Sequence, residues 1–340
     1  MERLIDKLRE HLKLCEGKVV NLRELRLSFD IIPGSKDDTL LRTHMSTTLV
    51  KDKAVKSSGF RDGDYKVIRK VTPVRVFAPG RERRPIFELS WMIDTATGQE
   101  IPIGKSIVVR EGDLISLGGV KSKGKTTLCM GFTASNISKS PVLMGNEYTV
   151  SVDGRYDPAP RFLNRLDRMS EWVDWTDENG EDRFLLLPVK EDYAENVVMD
   201  RINIIDWINL AGDRSYDISK VLEGIKAAIG RGIVIVALQK GEGAINPRGG
   251  QFVSDFSDVE ILLDGYGENE DDILLTVKGC KEKSSPIVGK TFAYTIIQGG
   301  TAIYNFREVA KCRQCFGKGW KKAGNANIPC ECKTGYADKD

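Results

Sequence analysis

The chain is poor in histidine and has no long apolar run. Of its 340 residues only two are histidines, His11 and His44, and neither lies in a pattern with metal-ligand or acid–base partners. We therefore assign no catalytic or ligand role to either. No apolar stretch approaches the roughly 20 residues that span a bilayer, which predicts a soluble protein with no membrane partner. Residues 1–17 resemble an amphipathic helix and lack the apolar segment of a secretory signal, which predicts a cytoplasmic location.

Cysteine is scarce as well, and it is concentrated near the carboxyl end. Three of the seven cysteines are scattered, whereas the other four fall in the two short patterns C-x-x-C and C-x-C. Two close pairs of thiolates suit a tetrahedral zinc site better than a disulfide framework. The predicted zinc ligands are Cys312, Cys315, Cys330 and Cys332.

Charge is distributed unevenly along the chain although the net charge is only +2. Residues 1–77 and 307–340 carry an excess of basic side chains, and residues 78–306 carry an excess of acidic ones. This distribution fits a nucleotide-hydrolysing centre with basic appendages that face nucleic acid, although solvated basic faces explain it equally well. The length itself predicts two or three folding units.

Residues 1–77 show three helical patterns followed by a hairpin signal. Asp62 and Gly63 separate two short strand patterns, and this dipeptide tolerates the positive φ angles of a tight turn. Three helices and a hairpin resemble a winged helix-turn-helix domain, which implies DNA binding. The helical apolar positions are Leu4, Leu8 and Leu12, then Leu22 and Leu25, then Leu41, Met45 and Leu49.

In the winged-helix family the third helix enters the major groove and the hairpin contacts the DNA backbone. The resemblance therefore implies two sets of contacts in this chain. A helical cap that makes oligomer contacts is the alternative interpretation. The residues expected to face bases are Arg42, Thr43, Ser46 and Thr47, and those expected to face phosphates are Arg61 and Lys66.

A proline- and glycine-containing linker is predicted at residues 78–90, and an α/β domain at residues 91–306. In this domain short apolar segments alternate with helical patterns, for example DLISLGG, INIIDWI and IVIVALQ. Such alternation is typical of a mainly parallel sheet covered by helices on both faces. Trp172, Trp175 and Trp207 are expected to pack in the core or in an interface.

The segment GVKSKGKT follows an apolar strand pattern and precedes a helical one. Its glycines let the backbone wrap phosphates, Lys125 supplies a cation to the β and γ phosphates of ATP, and the Thr126 hydroxyl is a ligand for Mg²⁺. We interpret it as a P-loop. The predicted nucleotide-binding residues are Gly119, Val120, Lys121, Ser122, Lys123, Gly124, Lys125, Thr126 and Thr127.

Three polar residues follow later apolar strands and complete a candidate hydrolytic site. Asp206 ends INIID and is preferred over Asp200 as the second Mg²⁺ ligand, because Asp200 ends a helical pattern. Glu147 ends VLMGNE and could polarise the attacking water, or it is an ordinary acid at a strand exit. Gln239 ends IVIVALQ and could sense the γ-phosphate.

The loop after Gln239 is long and glycine-rich, and it carries Lys240 and Arg248. Loops of this kind are expected to hold DNA strands.

These motifs together resemble the RecA-like ATPase core of the DnaB and KaiC group, over roughly residues 85–306, and in particular ATPases of phages and mobile elements. In that family a K-x-R or K-x-K pair reaches the γ-phosphate of a neighbouring subunit. Here the corresponding run is KGCKEK, so Lys278, Lys281 and Lys283 compete for that role and arginine is missing. The resemblance implies a homo-oligomer, and the missing arginine leaves a hexameric ring open. The winged-helix-like domain replaces the helical collar that is usual in the helicases.

The carboxyl-terminal tail, residues 307–340, begins its cysteine pattern as C-x-x-C-x-G-x-G, which resembles the cysteine-rich zinc modules of the DnaJ type. Its second pair is C-x-C instead of C-x-x-C. Lys318, Trp320, Lys321 and Lys322 fit contacts with a single nucleic-acid strand and fit a protein-docking finger equally well.

The sequence as a whole predicts a DNA-dependent ATPase of replication or recombination, such as a DnaB-like helicase or its loader. ATP, Mg²⁺ and Zn²⁺ are the expected cofactors. The expected partners are single-stranded DNA, duplex DNA at the winged helix, and a replication or recombination protein. A nucleotide-switched DNA-binding regulator and a scaffold that docks a partner through its zinc tail are the alternatives.

Overall fold

The structure, a computed structural model, describes residues 3–59, 61–69, 73, 86–145, 147–208, 217–323 and 326–339. The chain forms two compact units, residues 1–82 and 83–340. Most of the predicted linker, residues 78–85, lies outside the described residues. Within its remaining part, Phe87 and Leu89 pack against the core of the second unit.

The first unit consists of helices and a small antiparallel sheet. Helix α3 continues through a π-helical turn at His44–Thr48 into α4, and the strand order is β1–β3–β2. The elements in chain order are α1 Leu4–Leu14, β1 Val19–Asn21, α2 Leu22–Ser28, α3 Lys36–Thr43, α4 Leu49–Lys51, β2 Val55–Ser57 and β3 Asp64–Val67.

Burial of the helical apolar positions holds the first unit together. Leu8, Leu25, Leu41 and Met45 are all fully or almost fully buried in one cluster. Helix α2 begins at a capping box, in which the Asn21 side chain accepts the Glu24 amide at 2.8 Å. The four buried apolar residues belong to the periodic pattern from which the sequence predicted helices, and the helices lie where that pattern placed them.

The second unit contains the remaining strands and helices. Its strands are β4 Ile93–Asp94, β5 Gln99–Glu100, β6 Leu114–Gly119, β7 Val142–Gly145, β8 Thr149–Val152, β9 Arg155–Pro158, β10 Leu185–Leu187, β11 Ile202–Asp206, β12 Ile233–Gln239, β13 Val259–Gly265, β14 Asp272–Cys280, β15 Thr291–Ile297, β16 Ala302–Lys311, β17 Trp320–Ala323, β18 Ala326–Pro329 and β19 Tyr336–Asp338. Its helices are α5 Lys125–Ser135, α6 Pro160–Met169, α7 Tyr193–Asn196, α8 Ile218–Ala228 and α9 Gln251–Phe256.

One large sheet organises this unit, with the order β10–β7–β11–β12–β6–β13–β14–β15–β16–β4–β5. The first six strands in this order, β10, β7, β11, β12, β6 and β13, are parallel. Strands β14, β15 and β16 extend the sheet in antiparallel register. A mixed α/β fold with a large, mostly parallel sheet fits the predicted RecA-like core. The hairpin β8–β9 and the ribbon β17–β18 pair outside this sheet.

Helices cover both faces of the parallel strands, as the sequence predicted. Successive residues of a strand point to opposite faces, and accordingly Ile204 and Ile205 belong to different apolar clusters. Phe132 of α5 lies in the first cluster and Leu222 of α8 in the second. Neighbouring parallel strands therefore end at the same edge of a buried sheet.

The tail is joined to this sheet. Strand β16 runs through residue 307 and ends directly before Cys312, and β19 pairs with it in antiparallel register. None of the helices in the described part of the chain combines the length and apolarity needed to cross a membrane.

The partly buried carboxyl group of Asp113 destabilises the folded state at neutral pH. Burial raises the pKa of its carboxyl to about 6, and the neighbouring Asp258 adds to the rise. The charged form is thus penalised in the folded state above about pH 6, and the penalty disappears below about pH 4, where both states are protonated. Asn at this position keeps an oxygen for the Arg110 amide, which Asp113 Oδ2 accepts at 2.7 Å.

We expect Asp113→Asn to stabilise the protein by about 1 kcal/mol near pH 8, after discounting the shift for partial exposure, and to have no effect near pH 4. Urea unfolding at both pH values measures the difference from the wild type. Asp177→Asn is the control, because two backbone amides lower the pKa of Asp177 and its loss should stabilise nothing. An equal effect of Asp113→Asn at both pH values would contradict the prediction.

Candidate functional site

The GVKSKGKT segment forms a turn between β6 and the amino terminus of α5. Gly124, directly before the helix, has φ +77°, and a Cβ on it would lie 2.7 Å from Ile296 Cδ1. Only glycine combines this backbone conformation with so little space. The backbone around the turn is therefore fixed by glycine, as a loop that wraps an anion requires.

Lys125 is folded into the turn that it follows. Its side chain is 7% exposed, and Nζ donates to the carbonyl oxygens of Gly119 at 2.9 Å and Val120 at 2.8 Å. Burial lowers the pKa of Lys125, and the carboxylate of Asp206 opposes that effect. A cation thus lies at the centre of the loop.

Asp206 ends β11 next to this cation and is 2% exposed. Its Oδ2 accepts a hydrogen bond from the Tyr148 hydroxyl at 2.7 Å, whereas its buried Oδ1 has no hydrogen-bond partner. Burial raises the pKa of this carboxyl, and the hydroxyls of Tyr148 and Thr126 partly offset the rise.

This arrangement fits a magnesium ion. An orphaned, buried carboxylate oxygen beside a hydroxyl oxygen supplies the hard oxygen ligands that Mg²⁺ takes from proteins. Asp206 and Thr126 are thus the residues that would hold the ion. Asp200 lies at the other end of β11, where its carboxylate accepts the Arg231 amide at 2.7 Å, and it is separated from this site.

Glu147 and Gln239 lie at the same edge of the sheet. The exposed Glu147 carboxylate is close enough to raise the pKa of both Lys125 and Asp206. Gln239 is the last residue of β12 and pairs with Gly119 across the sheet. The structure therefore brings all the predicted hydrolytic residues to one edge.

The loop after Gln239 is fastened to the neighbouring strands. The buried ammonium of Lys240 forms an ion pair with the partly exposed Asp264 of β13. The ammonium of Lys278 bonds to Asn246 of the loop and to Glu260 of β13, the latter at 2.7 Å. The predicted DNA-binding loop is thus held at its start and in its middle.

Ion pairs within the chain also engage two of the three lysines of the KGCKEK run, which the sequence predicts to act on a neighbouring subunit. Lys278 pairs with Glu260, and Lys281 pairs with Asp258 at 3.0 Å, both within one chain. Among the described residues Lys283 has no ion-pair partner.

Sequence reasoning missed two residues of this site, Tyr148 and Arg165. Tyr148 is 1% exposed, and burial raises its pKa well above the usual value, with Asp206 contributing. No sequence pattern marks a tyrosine as the partner of a carboxylate that lies 58 residues away.

Arg165 lies on the face of α6 that packs on the site. Phe162, three residues earlier, contacts the Tyr148 ring at 4.9 Å between centroids. Arg165 Nη2 and Thr127 Oγ1 each lie 4.0 Å from the position that a Cβ on Gly300 would occupy. Within the described ranges Arg165 has no hydrogen-bond or ion-pair partner, so its charge is available beside α5.

The three tryptophans differ in burial. Trp175 is buried, Trp207 is half-buried against the core, and Trp172 is 40% exposed. Core packing holds for Trp175 and Trp207, and an interface role for Trp172 stays a prediction.

The first unit carries a cleft of about 550 Å³ whose lining includes Arg23, Arg26, Arg42, Ser46 and Arg61. Arg42, Ser46 and Arg61 are three of the residues for which the sequence predicts DNA contacts. The other three, Thr43, Thr47 and Lys66, are exposed but lie outside the cleft lining.

A buried carboxylate orients part of this cleft. Asp38 is 2% exposed and accepts the Arg26 guanidinium at 2.7 Å and the Gly34 amide at 2.9 Å. These bonds lower the pKa of Asp38 to about 2.

The four cysteines of the tail form one cluster. Their sulfur atoms all lie within 4.8 Å of one another, with Cys312 and Cys330 at 3.9 Å and Cys315 and Cys332 at 3.4 Å. Backbone amides of Cys315 and Gln314 lower the pKa of the Cys312 thiol. Four converging sulfurs, two of them on buried residues, fit a tetrahedral zinc ion.

Comparisons with known proteins yield fold-level likeness at most. Neither a family model nor a curated protein matches the chain. The crystal structure of the RadB recombinase is similar at 18% identity with a TM-score of 0.41, over 58% of this chain and 91% of that chain. A DnaB-like replicative helicase, whose structure is described with its primase interactions, is similar at 12% identity with a TM-score of 0.40; the match covers 58% of each chain.

The cysteine cluster predicts about one zinc ion per chain. We expect Cys315→Ser to abolish zinc binding and to make residues 312–339 sensitive to proteolysis, because so short a segment has little apolar core of its own. Metal analysis and limited proteolysis measure both effects. Cys280→Ser is the control, since Cys280 lies outside the cluster, and an unchanged zinc content in Cys315→Ser would contradict the prediction.

Proposed function

We propose that this chain is a DNA-dependent ATPase with a RecA-like core that serves replication or recombination. The observation that carries the proposal is the convergence of Lys125, Thr126, Asp206 and Glu147 at one edge of the sheet. A glycine-fixed loop, a buried cation and an unpartnered carboxylate oxygen are the parts that phosphoryl transfer needs. The organisation into residues 1–77, 78–90, 91–306 and 307–340 belongs to the same proposal.

Each residue has a chemical role in this mechanism. Lys125 moves from the loop carbonyls to the β and γ phosphates, and loop amides at the start of α5 bind the same phosphates. Mg²⁺ held by Thr126 and Asp206 supplies charge neutralisation when bound. Glu147 accepts a proton from the attacking water.

Two further groups position these residues. Tyr148 holds Oδ2 of Asp206 and leaves Oδ1 without a hydrogen bond, so that Oδ1 is available to the ion. Gln239 lies between the P-loop and the loop held by Lys240, and it is suited to pass the state of the γ-phosphate to that loop.

The KGCKEK run contains no arginine that could reach the γ-phosphate of a neighbouring subunit. Arg165 is suited to supply that positive charge within the same chain. Its helix contacts both Tyr148 and the neighbourhood of Gly300. Lys283 is the remaining candidate for a contribution from a neighbouring subunit, because Lys278 and Lys281 are paired within their own chain.

ATP turnover measured without DNA, with single strands and with duplex tests the proposal. We expect DNA to stimulate turnover and Lys125→Ala to reduce it about 100-fold or more. Arg165→Ala should reduce kcat about 1000-fold with little change in ATP affinity. The exposed Arg161, on the same helix, is the matched control.

Turnover that is unaffected by both DNA and Lys125→Ala would disprove the proposed activity. Mixing Lys125→Ala protein with Lys283→Ala protein separates the two sources of positive charge. With Arg165 acting within its own chain, Lys283→Ala protein is active alone and mixing adds no turnover. With an essential contribution of Lys283 from a neighbouring subunit, each variant is inactive alone and mixing restores part of the turnover.

A second candidate function is a nucleotide-switched regulator that binds duplex DNA. The cleft of the first unit favours it, since four arginines against two aspartates, Asp62 and Asp64, line that cleft. The winged-helix assignment of this unit, and contacts of Arg42 and Ser46 with bases, belong to this proposal. Homo-oligomer formation and a protein partner in replication or recombination are proposed for either function.

We expect Arg42→Ala and Arg61→Ala each to weaken duplex binding. Loss of Arg61, a phosphate contact, should affect all sequences equally and reduce the salt dependence by about one unit of slope. Loss of Arg42 should also relax any sequence preference. Fluorescence anisotropy with duplexes at several salt concentrations measures both effects. Lys53→Ala, which removes an exposed lysine outside the cleft, should change nothing, and equal losses in all three variants would contradict the assignment.

A further inference from the structure

The tip of the cysteine cluster carries an exposed aromatic ring. Phe316 directly follows Cys315, its amide donates to the Cys312 carbonyl at 2.8 Å, and its side chain is 76% exposed. Its φ is +53°, a left-handed conformation that is unfavourable for a bulky residue. The cysteine framework thus holds a large apolar side chain in solvent at an energetic cost.

Several basic residues lie close to Phe316 in the sequence. Arg313, Lys318, Lys321 and Lys322 form no ion pairs among the described residues, and Glu331 is the sole acidic residue in the sequence from 312 to 337. Lys318 Nζ lies 5.1 Å from the Trp320 ring centroid, and Lys321 reaches Gln314 at 3.4 Å. The tip surface, defined as Arg313, Phe316, Lys318, Lys321 and Lys322, is therefore cationic with one aromatic ring presented to solvent.

We propose that the tip surface binds single-stranded nucleic acid, with a base stacked on Phe316 and phosphates on the flanking cations. Base stacking on an aromatic ring combined with a basic backbone track is the usual chemistry of single-strand binding. Four cations that lie close to this ring in the sequence and have no ion-pair partner among the described residues complement a polyanion, whereas an apolar protein partner would leave those charges desolvated.

Single strands fit the tip surface better than duplex DNA does. In a duplex the faces of the bases are stacked on each other, so a protruding phenyl ring would find no free face. The proposal deepens the proposed DNA dependence of the ATPase, but binding at the tip surface needs neither ATP nor the P-loop.

The test measures the affinity of the full-length, zinc-loaded protein for a labelled oligo-dT without nucleotide, in a Lys125→Ala background. We expect Phe316→Ala to weaken binding at least about fivefold, the change that corresponds to the lower end of stacking energies. The double variant Lys321→Ala/Lys322→Ala should reduce the slope of log affinity against log salt by about 1.4, because each phosphate contact contributes about 0.7 on single strands.

Matched variants separate these effects from general surface changes. Tyr156→Ala removes an aromatic ring that is 54% exposed on the β8–β9 hairpin, and Lys190→Ala/Lys220→Ala removes two exposed lysines elsewhere. Both should bind oligo-dT as the parent does. Zinc content, measured for every variant, shows that the cluster remains folded.

Unchanged oligo-dT affinity and salt slope in both tip variants with zinc retained would overturn the proposal and make the tip a protein-docking surface instead. Because the Lys125→Ala background has no P-loop cation, absence of ATPase activity in the wild type would not affect this result. The two proposals therefore fail in distinguishable ways.

Discussion

The buried carboxylate of Asp206 sets the strictest demand on the second unit. A charge taken out of water must be compensated by partners within hydrogen-bond or Coulomb range, and here one oxygen is held by Tyr148 while Lys125 lies nearby. Asp206 and these two partners follow three separate strands, β11, β7 and β6. The site exists because parallel strands of one sheet end at a common edge. Every element that aligns these strands therefore also positions the side chains of the site.

The sequence allowed much of this site to be predicted, because its signals are local. The two glycines follow from the backbone turn, and Lys125 follows from its position at the start of a helix. Both signals lie within a few consecutive residues, from Gly119 to Lys125. Asp206 could be inferred since a polar residue directly follows an apolar strand. Tyr148 and Arg165 could not, because their roles come from packing of α6 across the end of β7, which no spacing encodes.

The fold shows the same division between local and long-range information. The helices of the first unit follow from the periodicity of leucine and methionine, and the strands of the parallel sheet follow from continuous apolar runs. Strand β16 lacks such a run, because Tyr304, Asn305 and Arg307 interrupt it, and its pairing with β15, β19 and β4 makes it a strand. The hairpin β8–β9, with most of its residues exposed, likewise lacks the alternation that marks a half-buried strand.

Strand β16 also joins two parts of the molecule that have been described separately. Thr127, in the first turn of α5, donates to the Gly300 carbonyl at 2.9 Å, two residues before β16 begins, and Cys312 follows directly after β16 ends. The first turn of α5 and the cysteine cluster are therefore attached to opposite ends of one strand, and pairing with β15 holds that strand in the large sheet.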